Sequence, residues 1–246
     1  MMSNETLYLK CKPDDIAPLV LISGDPARVA RVAALLNGVS PVKQNREFAV
    51  ATGAYNGVPV TVASGGIGAP STAIAIHELV QLGAKAIVRI GTMMGVGAPM
   101  QSVMIPTGAV RYEGTSARYL PLAFPAVPDE RLSRALAEAG QKRDLDVRRG
   151  LTATYDAFYP DMAPSLVSDE TLDLTALQRA RVLTMDMESA LVFVLGTVLG
   201  IAAASMCLVT VQAEPYRHLD ADIRAELDDR TVRAAVDGLV AFGSQE

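Results

Sequence analysis

The stretch from residue 84 to residue 92 reads AKAIVRIGT and predicts the central strand of the fold. Its apolar side chains are typical of a strand that is buried on both faces of a sheet. Arg89 lies near the carboxyl end of the stretch, and Thr92 follows it closely. A buried guanidinium needs an anionic partner, and ligands of open α/β sheets bind beyond the carboxyl ends of the strands. The stretch therefore predicts either an anion-binding site or an internal ion pair.

The composition is that of a globular protein with a large core. The 246 residues are 50% hydrophobic and 20% charged, and the formal net charge is -5. No basic run accompanies this negative charge, which argues against a nucleic-acid partner. The two cysteines, Cys11 and Cys207, form neither a metal-binding pattern nor a disulfide framework. No basic segment followed by an apolar stretch opens the sequence, so we expect a cytoplasmic protein.

Residues 190–213 carry no charged side chain and are long enough to raise the question of a membrane span. Glycines and polar residues interrupt the segment, and no cluster of lysines and arginines flanks it. A helix over 188–199 that ends at Gly200, followed by a strand over 203–211, accounts for the segment better. We therefore expect core structure here and no membrane partner.

The segments that precede residue 84 predict a βαβ unit and a hairpin. Residues 19–22 form an apolar strand, and Asp25 followed by Pro26 is a strong start signal for a helix. Two β-rich runs, 48–54 and 58–63, flank Asn56-Gly57, which favours a hairpin. A glycine-rich loop over 64–70 then leads into a helix over 71–82, and the 84–92 strand follows.

The segments after residue 92 continue to alternate between strands and helices. The predicted elements are short β segments at 103–105 and 109–112, helices over 129–142 and within 171–181, strands over 147–154 and 182–185, and a closing helix over 220–240. Residues 160–168 predict a loop that could act as a lid. No linker or repeat divides the chain, so residues 1–246 predict a single α/β domain. We expect a three-layer αβα fold whose mixed central sheet is flanked by helices.

Three loops, 24–28, 64–70 and 89–92, follow strands that we expect to be neighbours in the sheet. Their side chains would then meet at one sheet edge. Arg28, Arg89, Thr92 and a helix amino terminus would surround a small volume, which suits a compact dianion such as phosphate. The glycine loop matches neither the dinucleotide-binding fingerprint nor the P-loop, and each loop taken alone is an ordinary turn.

A second group of polar residues lies in the segment 184–189, which reads TMDMES and passes from a strand into a helix. In an extended entry, Asp186 and Glu188 point to the same side, and Met187 points to the other side or lies over a ligand. A carboxylate accepts paired hydroxyl hydrogen bonds well, so a sugar diol is one partner for this segment. The alternative is that Asp186 caps the helix and that Glu188 interacts with the helix dipole.

Seven motifs in this order make the chain resemble the nucleoside phosphorylase family of the uridine phosphorylase and hexameric purine nucleoside phosphorylase type. They are GDPAR at 24–28, REF at 46–48, GIGAPS at 66–71, RIGT at 89–92, FPA at 124–126, FYP at 158–160 and MESA at 187–190. The resemblance covers nearly the whole chain, and the segments 45–48 and 124–126 are most similar to the uridine phosphorylase branch.

The resemblance implies a role for each matching position. The implied phosphate ligands are Gly24, Arg28, Arg46, Arg89 and Thr92, of which Arg46 reaches the site of a neighbouring subunit. The implied ribose contacts are Tyr8, Asp186, Met187 and Glu188, and the candidate base contacts are Phe158, Met162 and Gln212. Glu47, Ile67 and Ser71 match positions that hold a monovalent cation, such as K+, between subunits in some members.

The chain departs from the family pattern at several of these positions. Tyr8 stands where the family usually has a histidine, and Asp186 replaces a glutamate. Met162 and Pro164 stand where uridine phosphorylases have the glutamine and arginine that read uracil. The aspartate that protonates a purine base is missing near 210–213, and the candidate replacements for the missing base readers are Gln178, Gln212, Glu214 and Arg217. The sequence therefore leaves open which group meets the base.

The resemblance implies reversible phosphorolysis, in which a nucleoside and phosphate give a free base and (deoxy)ribose 1-phosphate. Arg28, Arg89 and Glu188 would be the catalytic residues, and phosphate would be the co-substrate, without another cofactor. The expected partners are the nucleoside, phosphate and further copies of the chain in a dimer-based ring, such as a hexamer. Three alternatives stay open: a purine nucleoside phosphorylase, a phosphate-independent nucleosidase, and a nucleoside-binding homologue without catalysis.

Overall fold

A computed structural model describes residues 5–163 and 174–244 of the chain. The strands are β1 (Leu19–Ser23), β2 (Lys43–Asn45), β3 (Phe48–Tyr55), β4 (Val58–Ser64), β5 (Ala86–Gly95), β6 (Val103–Arg111), β7 (Val147–Thr154), β8 (Val182–Asp186), β9 (Ala202–Gln212) and β10 (Arg217–His218). The helices are α1 (Pro26–Ala33), α2 (Ala69–Gln81), α3 (Glu130–Lys142), α4 (Thr175–Arg179), α5 (Ser189–Leu199) and α6 (Ala221–Gly243).

The strands form one mixed sheet in the order β10-β9-β6-β7-β8-β5-β1-β4-β3-β2. Strands β4, β1, β5 and β9 run parallel to one another, whereas β3 and β8 join this group in the antiparallel sense. Because β9 pairs with β5 as well as with β6, the strands β5, β9, β6, β7 and β8 close on themselves. The carboxyl ends of β1, β4 and β5 therefore lie side by side at one edge of the sheet.

Helices cover both faces of the sheet, which confirms the three-layer αβα prediction. One apolar cluster joins Leu19 and Leu21 of β1 to side chains of α1, α3 and α6. A second cluster joins Val20 and Ile22 of the same strand to α2 and α5. This alternation is the two-residue period of a strand that is buried on both faces. Among the helices of the described residues, none combines the length and the apolar character that are needed to cross a bilayer.

The local start and stop signals act as the sequence predicts. The carboxylate of Asp25 accepts a hydrogen bond from the backbone N–H of Ala27 at 2.9 Å, so Asp25 caps α1. Helix α5 ends at Gly200, whose φ of 67° is left-handed. Asn56 and Gly57 have φ values of 50° and 83°, as a tight hairpin turn between β3 and β4 requires.

One predicted pair of β segments differs in the structure, and two predicted segments are described only in part. The two short β segments at 103–105 and 109–112 are one strand, β6, whose pairing with β7 shifts register between Pro106 and Gly108. Proline has no N–H to donate to the ladder, which explains why the pattern looked interrupted. The helix expected within 171–181 is α4, and residues 171–173 lie outside the described residues. Likewise, only residues 160–163 of the predicted 160–168 loop are described, and the first three belong to a π-helical turn, Phe158–Met162.

The packing around Gly66 in the glycine loop can be tested by comparing an alanine substitution there with the same substitution at the hairpin glycine, Gly57. Both have left-handed φ values, 72° and 83°, but an added Cβ at Gly66 would lie 2.4 Å from Ser71 Oγ, whereas at Gly57 it would meet nothing within 4 Å. Gly57→Ala should therefore lower the free energy of unfolding by about 1 kcal/mol, the cost of the backbone conformation. Gly66→Ala should lower it by about 3 kcal/mol, because a steric clash is added. Urea unfolding of both variants measures the difference, and equal losses would contradict this packing of the loop.

Candidate active site

A cavity of about 530 Å³ lies at the sheet edge where β1, β4 and β5 end. The three predicted loops converge on it, and they contribute Gly24 and Arg28, Ile67, and Arg89 with Thr92. The segment from Met185 to Glu188 lines the same cavity, as do Phe158 and Met162. The structure thus brings the predicted anion-binding residues other than Arg46, and most of the predicted sugar-binding and base-binding residues, into one place.

Arg89 is 7% exposed and is held by several neighbours at once. Its Nη2 contacts Glu188 Oε2, while Nη1 lies 3.2 Å from Asp186 Oδ2 and donates to Cys207 Sγ at 2.8 Å. Burial favours the neutral guanidine, but the net pKa of Arg89 is raised because the Cys207 sulfur and the two carboxylates favour the charged form. Arg89 is therefore a fixed, permanently charged group. The predicted internal ion pairs are present, and Arg89 also lines the cavity, while anion binding there stays a prediction.

Cys207 lies beneath Arg89 on β9, where it is fully buried. Burial raises the pKa of the thiol to about 11, so the group is neutral at physiological pH. A neutral sulfur accepts the Arg89 hydrogen bond without adding negative charge to the site. Cys207 is thus a support for the arginine.

Glu188 lies between the sheet and the glycine loop, immediately before α5. Its Oε1 accepts a hydrogen bond from the backbone N–H of Gly68 at 2.7 Å, and Oε2 contacts Arg89. Gly68 is the N-cap of α2, so the carboxylate also faces the positive end of that helix dipole. Both carboxylate oxygens keep lone pairs that can accept from hydroxyl groups in the cavity.

Asp186 is more deeply embedded than Glu188, with a fully buried side chain. Its Oδ1 accepts from Thr154 Oγ1 at 2.7 Å, and its Oδ2 accepts from the backbone N–H of Ser189 at 3.1 Å and pairs with Arg89. The carboxylate thus satisfies the first residue of α5, which is the helix-capping alternative that the sequence left open. Asp186 belongs to the cavity lining, but its carboxylate oxygens are already hydrogen-bonded or ion-paired to protein groups.

Arg28, the second cavity arginine, is 6% exposed and lies in the first turn of α1. Its Nη2 donates to Asp228 Oδ1 at 2.9 Å, and its Nη1 donates to Ser23 Oγ at 2.9 Å. Asp228 belongs to α6, so the closing helix contacts an arginine that lines the cavity. Sequence reasoning did not identify Asp228, because its local context is that of an ordinary charged helix position.

Most of the remaining cavity wall is apolar and rich in methionine, apart from Thr210 and Arg224. The apolar side chains that form it are Met93, Met94, Phe158, Met162, Met185, Met187 and Val211.

Gln212 lies at the end of β9, where its Nε2 donates to the backbone carbonyl of Gly95 at 3.2 Å, and it is not among the lining residues. Pro164, where the family has a base-reading arginine, lies outside the described residues. Arg224 on α6 does line the cavity and was missed, since its helix is otherwise a packing element.

Tyr8 and Arg46 lie together at a different surface, and neither lines this chain's cavity. The guanidinium of Arg46 lies 5.9 Å from the centre of the Tyr8 ring, and Tyr8 packs edge-on against Phe48 at 5.8 Å. Arg46 itself is exposed and has a left-handed φ of 57°. Glu47, next to it, accepts a hydrogen bond from Ser71 Oγ at 3.2 Å. This group of residues faces outward from the chain.

Comparison with known proteins gives a consistent assignment over the length of the chain. The family model described as the phosphorylase superfamily matches residues 18–240. A uridine phosphorylase from Thermococcus kodakarensis is 37% identical over 82% of this chain and 76% of its own length. A guanosine phosphorylase from Halorubrum lacusprofundi is 35% identical over 91% of this chain and 90% of its own. The crystal structure of a purine nucleoside phosphorylase from Toxoplasma gondii in complex with immucillin-H superposes with a TM-score of 0.89 at 26% identity, covering 100% of this chain and 99% of that one.

Proposed function

The chain belongs to the phosphorylase superfamily, and from this membership we propose that it is a nucleoside phosphorylase of the uridine phosphorylase type. One contact carries the proposal: Arg89 Nη2 touches Glu188 Oε2 inside the cavity. An anion on Arg89 and a sugar diol on Glu188 would therefore be adjacent, as a reaction between phosphate and a ribose requires. The enzyme is a pentosyltransferase whose second substrate is phosphate, and no further cofactor is proposed.

In the proposed reaction, a phosphate oxygen attacks the anomeric carbon and the bond from that carbon to the base nitrogen breaks. The electron pair of the broken bond leaves with the base, which then takes up a proton. Positive charge develops on the sugar in the transition state, as in other glycosyl transfers. Phosphate on Arg28 and Arg89 offsets that charge, and Glu188 holds the ribose hydroxyls so that the attack is aligned.

The charges that line the cavity support a contribution from a second copy of the chain. Three arginines, Arg28, Arg89 and Arg224, face three carboxylates, Asp25, Asp186 and Glu188, so the charged lining of one subunit is balanced. A phosphate dianion calls for additional positive charge. We propose that the outward-facing Arg46 supplies it to a neighbouring subunit's site, alongside Tyr8, within a dimer-based ring. A solution mass equal to one chain would exclude this arrangement.

Two finer assignments belong to the same proposal. The monovalent cation site at Glu47, Ile67 and Ser71 stays a prediction of the resemblance. Glu47 and Ser71 would lie at the same outward-facing surface as Arg46, whereas Ile67 also lines the cavity. A cytoplasmic location is proposed because both described cysteines, Cys11 and Cys207, are unpaired, as is usual in a reducing compartment. Fractionation of cells that express the protein would test the location.

The apolar wall predicts weak selection of the base. A pocket that recognises its ligand by apolar contact discriminates by only about 10- to 200-fold for each methylene-sized difference, and methionine side chains adapt to differently shaped partners. We expect phosphate-dependent release of the free base from uridine and also from inosine, with kcat/KM values that differ by much less than the roughly 10,000-fold that a hydrogen-bonding group reading the base would give. The assay compares uridine, thymidine, inosine, adenosine and 5′-methylthioadenosine, each with and without phosphate.

Each other result of this assay leads to a different conclusion. A preference for one base above about 10,000-fold would show that a hydrogen-bonding group reads it, and would overturn the apolar recognition proposed here. Cleavage in the absence of phosphate would identify a nucleosidase. Binding of nucleosides without cleavage of any would identify a homologue without catalysis.

A further inference from the structure

Asp228 is a buried carboxylate in the middle of α6, and it lies between two arginines of α1. Its side chain is 8% exposed. Oδ1 and Oδ2 accept from Nη2 and Nε of Arg28 at 2.9 and 3.4 Å, and Oδ2 also lies 3.0 Å from Nη1 of Arg31. Of the two arginines, Arg28 lines the cavity, whereas Arg31 is 53% exposed and points to solvent.

The hydrogen-bond donors of Arg28 divide into two groups. A guanidinium has five N–H donors. Asp228 accepts hydrogen bonds from the Nε donor and from one donor on Nη2, and Ser23 Oγ accepts from one donor on Nη1 at 2.9 Å. One donor on each Nη is left for the cavity. The carboxylate and the hydroxyl therefore fix the plane of the guanidinium and leave a two-pronged group that matches two oxygens of a phosphate.

Packing alone does not account for a charged residue at this position. Burying a carboxylate is costly, and apolar side chains of similar volume commonly stabilise a core at least as well. The neighbours of Asp228 on the buried face of α6 are apolar or small, among them Val232 and Ala235. The ion pair joins α6 to a residue of the cavity, which indicates a role in the site.

We propose that Asp228 is a positioning residue for phosphate binding, which holds Arg28 in the orientation that receives the anion. It acts through the arginine and does not touch the substrate, so α6 becomes a structural part of the phosphate subsite. This inference rests on the proposed function, since it assigns phosphate to Arg28. Loss of Asp228 should therefore weaken phosphate binding and leave nucleoside binding around Glu188 unchanged.

The test is Asp228→Asn, which keeps the shape of the side chain and removes its charge. We expect KM for phosphate to rise by at least about 10-fold, by analogy with the loss seen when a group that orients a metal-binding side chain is removed. KM for the nucleoside should not change, and a merely structural role would not produce this split. Ser23→Ala removes the other support of Arg28 without altering charge, so it should raise KM for phosphate as well. Arg31→Gln is the matched control, because it removes the solvent-facing partner of Asp228 and should leave both KM values unchanged.

An unchanged KM for phosphate in both Asp228→Asn and Ser23→Ala would overturn the inference, as would equal changes in both KM values. Calorimetric titration of inorganic phosphate into the full chain, without nucleoside, separates this result from a failure of the proposed function. Phosphate binding that weakens in Asp228→Asn, in a protein that cleaves no nucleoside, would support the positioning role and overturn the phosphorylase assignment. Circular dichroism of each variant confirms that the comparison is between folded proteins.

Discussion

Replacing Arg89 with lysine is expected to lower kcat/KM for phosphate by about 100- to 1,000-fold, the usual cost of losing one preorganised donor to a developing charge. Lysine keeps the positive charge, but a single ammonium group cannot contact Glu188, Asp186 and a phosphate in the forked geometry of a guanidinium. The measurement is the initial rate of free-base release as a function of phosphate concentration at saturating nucleoside. A rate that keeps its phosphate dependence unchanged would remove Arg89 from the phosphate subsite.

Lysine is a better replacement than alanine at this position for a physical reason. Arg89→Ala should also abolish phosphate-dependent turnover, but it would leave two buried carboxylates, Asp186 and Glu188, without their partner. Breaking a buried pair in this way typically costs about 3–5 kcal/mol of stability, so lost activity could reflect unfolding. Arg148→Lys is a suitable control, because Arg148 pairs with Asp146 at a half-exposed surface position and should tolerate the change.

Glu188→Gln is expected to lower kcat/KM for the nucleoside by roughly 100-fold, which corresponds to about 3 kcal/mol of lost charged hydrogen bonding. The amide can still accept from the backbone N–H of Gly68, so α2 and α5 should keep their arrangement. Its NH2 group, however, would face Nη2 of Arg89, and two hydrogen-bond donors repel each other there. The NH2 group also cannot accept a hydrogen bond from a sugar hydroxyl. Steady-state kinetics with nucleoside varied at saturating phosphate measures the loss.

The control for Glu188→Gln is Glu138→Gln, the same chemical change at an exposed position of α3. It should leave kcat/KM and the midpoint of thermal unfolding unchanged. If Glu188→Gln kept the nucleoside kinetics of the starting protein, the ribose hydroxyls would have to bind elsewhere in the cavity. The proposed contact between the phosphate and diol subsites would then be wrong.

Much of the fold follows from signals that act over a few residues. Asp25 with Pro26 starts α1, Asn56-Gly57 turns the hairpin, and Gly200 ends α5, as the sequence predicts. Caps, turns and periodicity depend on neighbouring residues, so they can be recognised without knowing the rest of the structure. The strand that contains Arg89 and its place beside a binding cavity were predictable for the same reason, because the cavity forms where parallel strands end.

The sequence by itself thus determined the αβα layers, the converging loops and the residue types that line the cavity beside Arg89. Only the tertiary structure decided how the charges pair: Arg28 with Asp228, which is 200 positions away, and Glu188 with the backbone of Gly68, 120 positions away. The tertiary structure also places Gln212 against the backbone carbonyl of Gly95, outside the cavity lining, and it pairs β9 with β5. An ion pair depends on where the order of the strands places two distant side chains, and no short stretch of sequence carries that information.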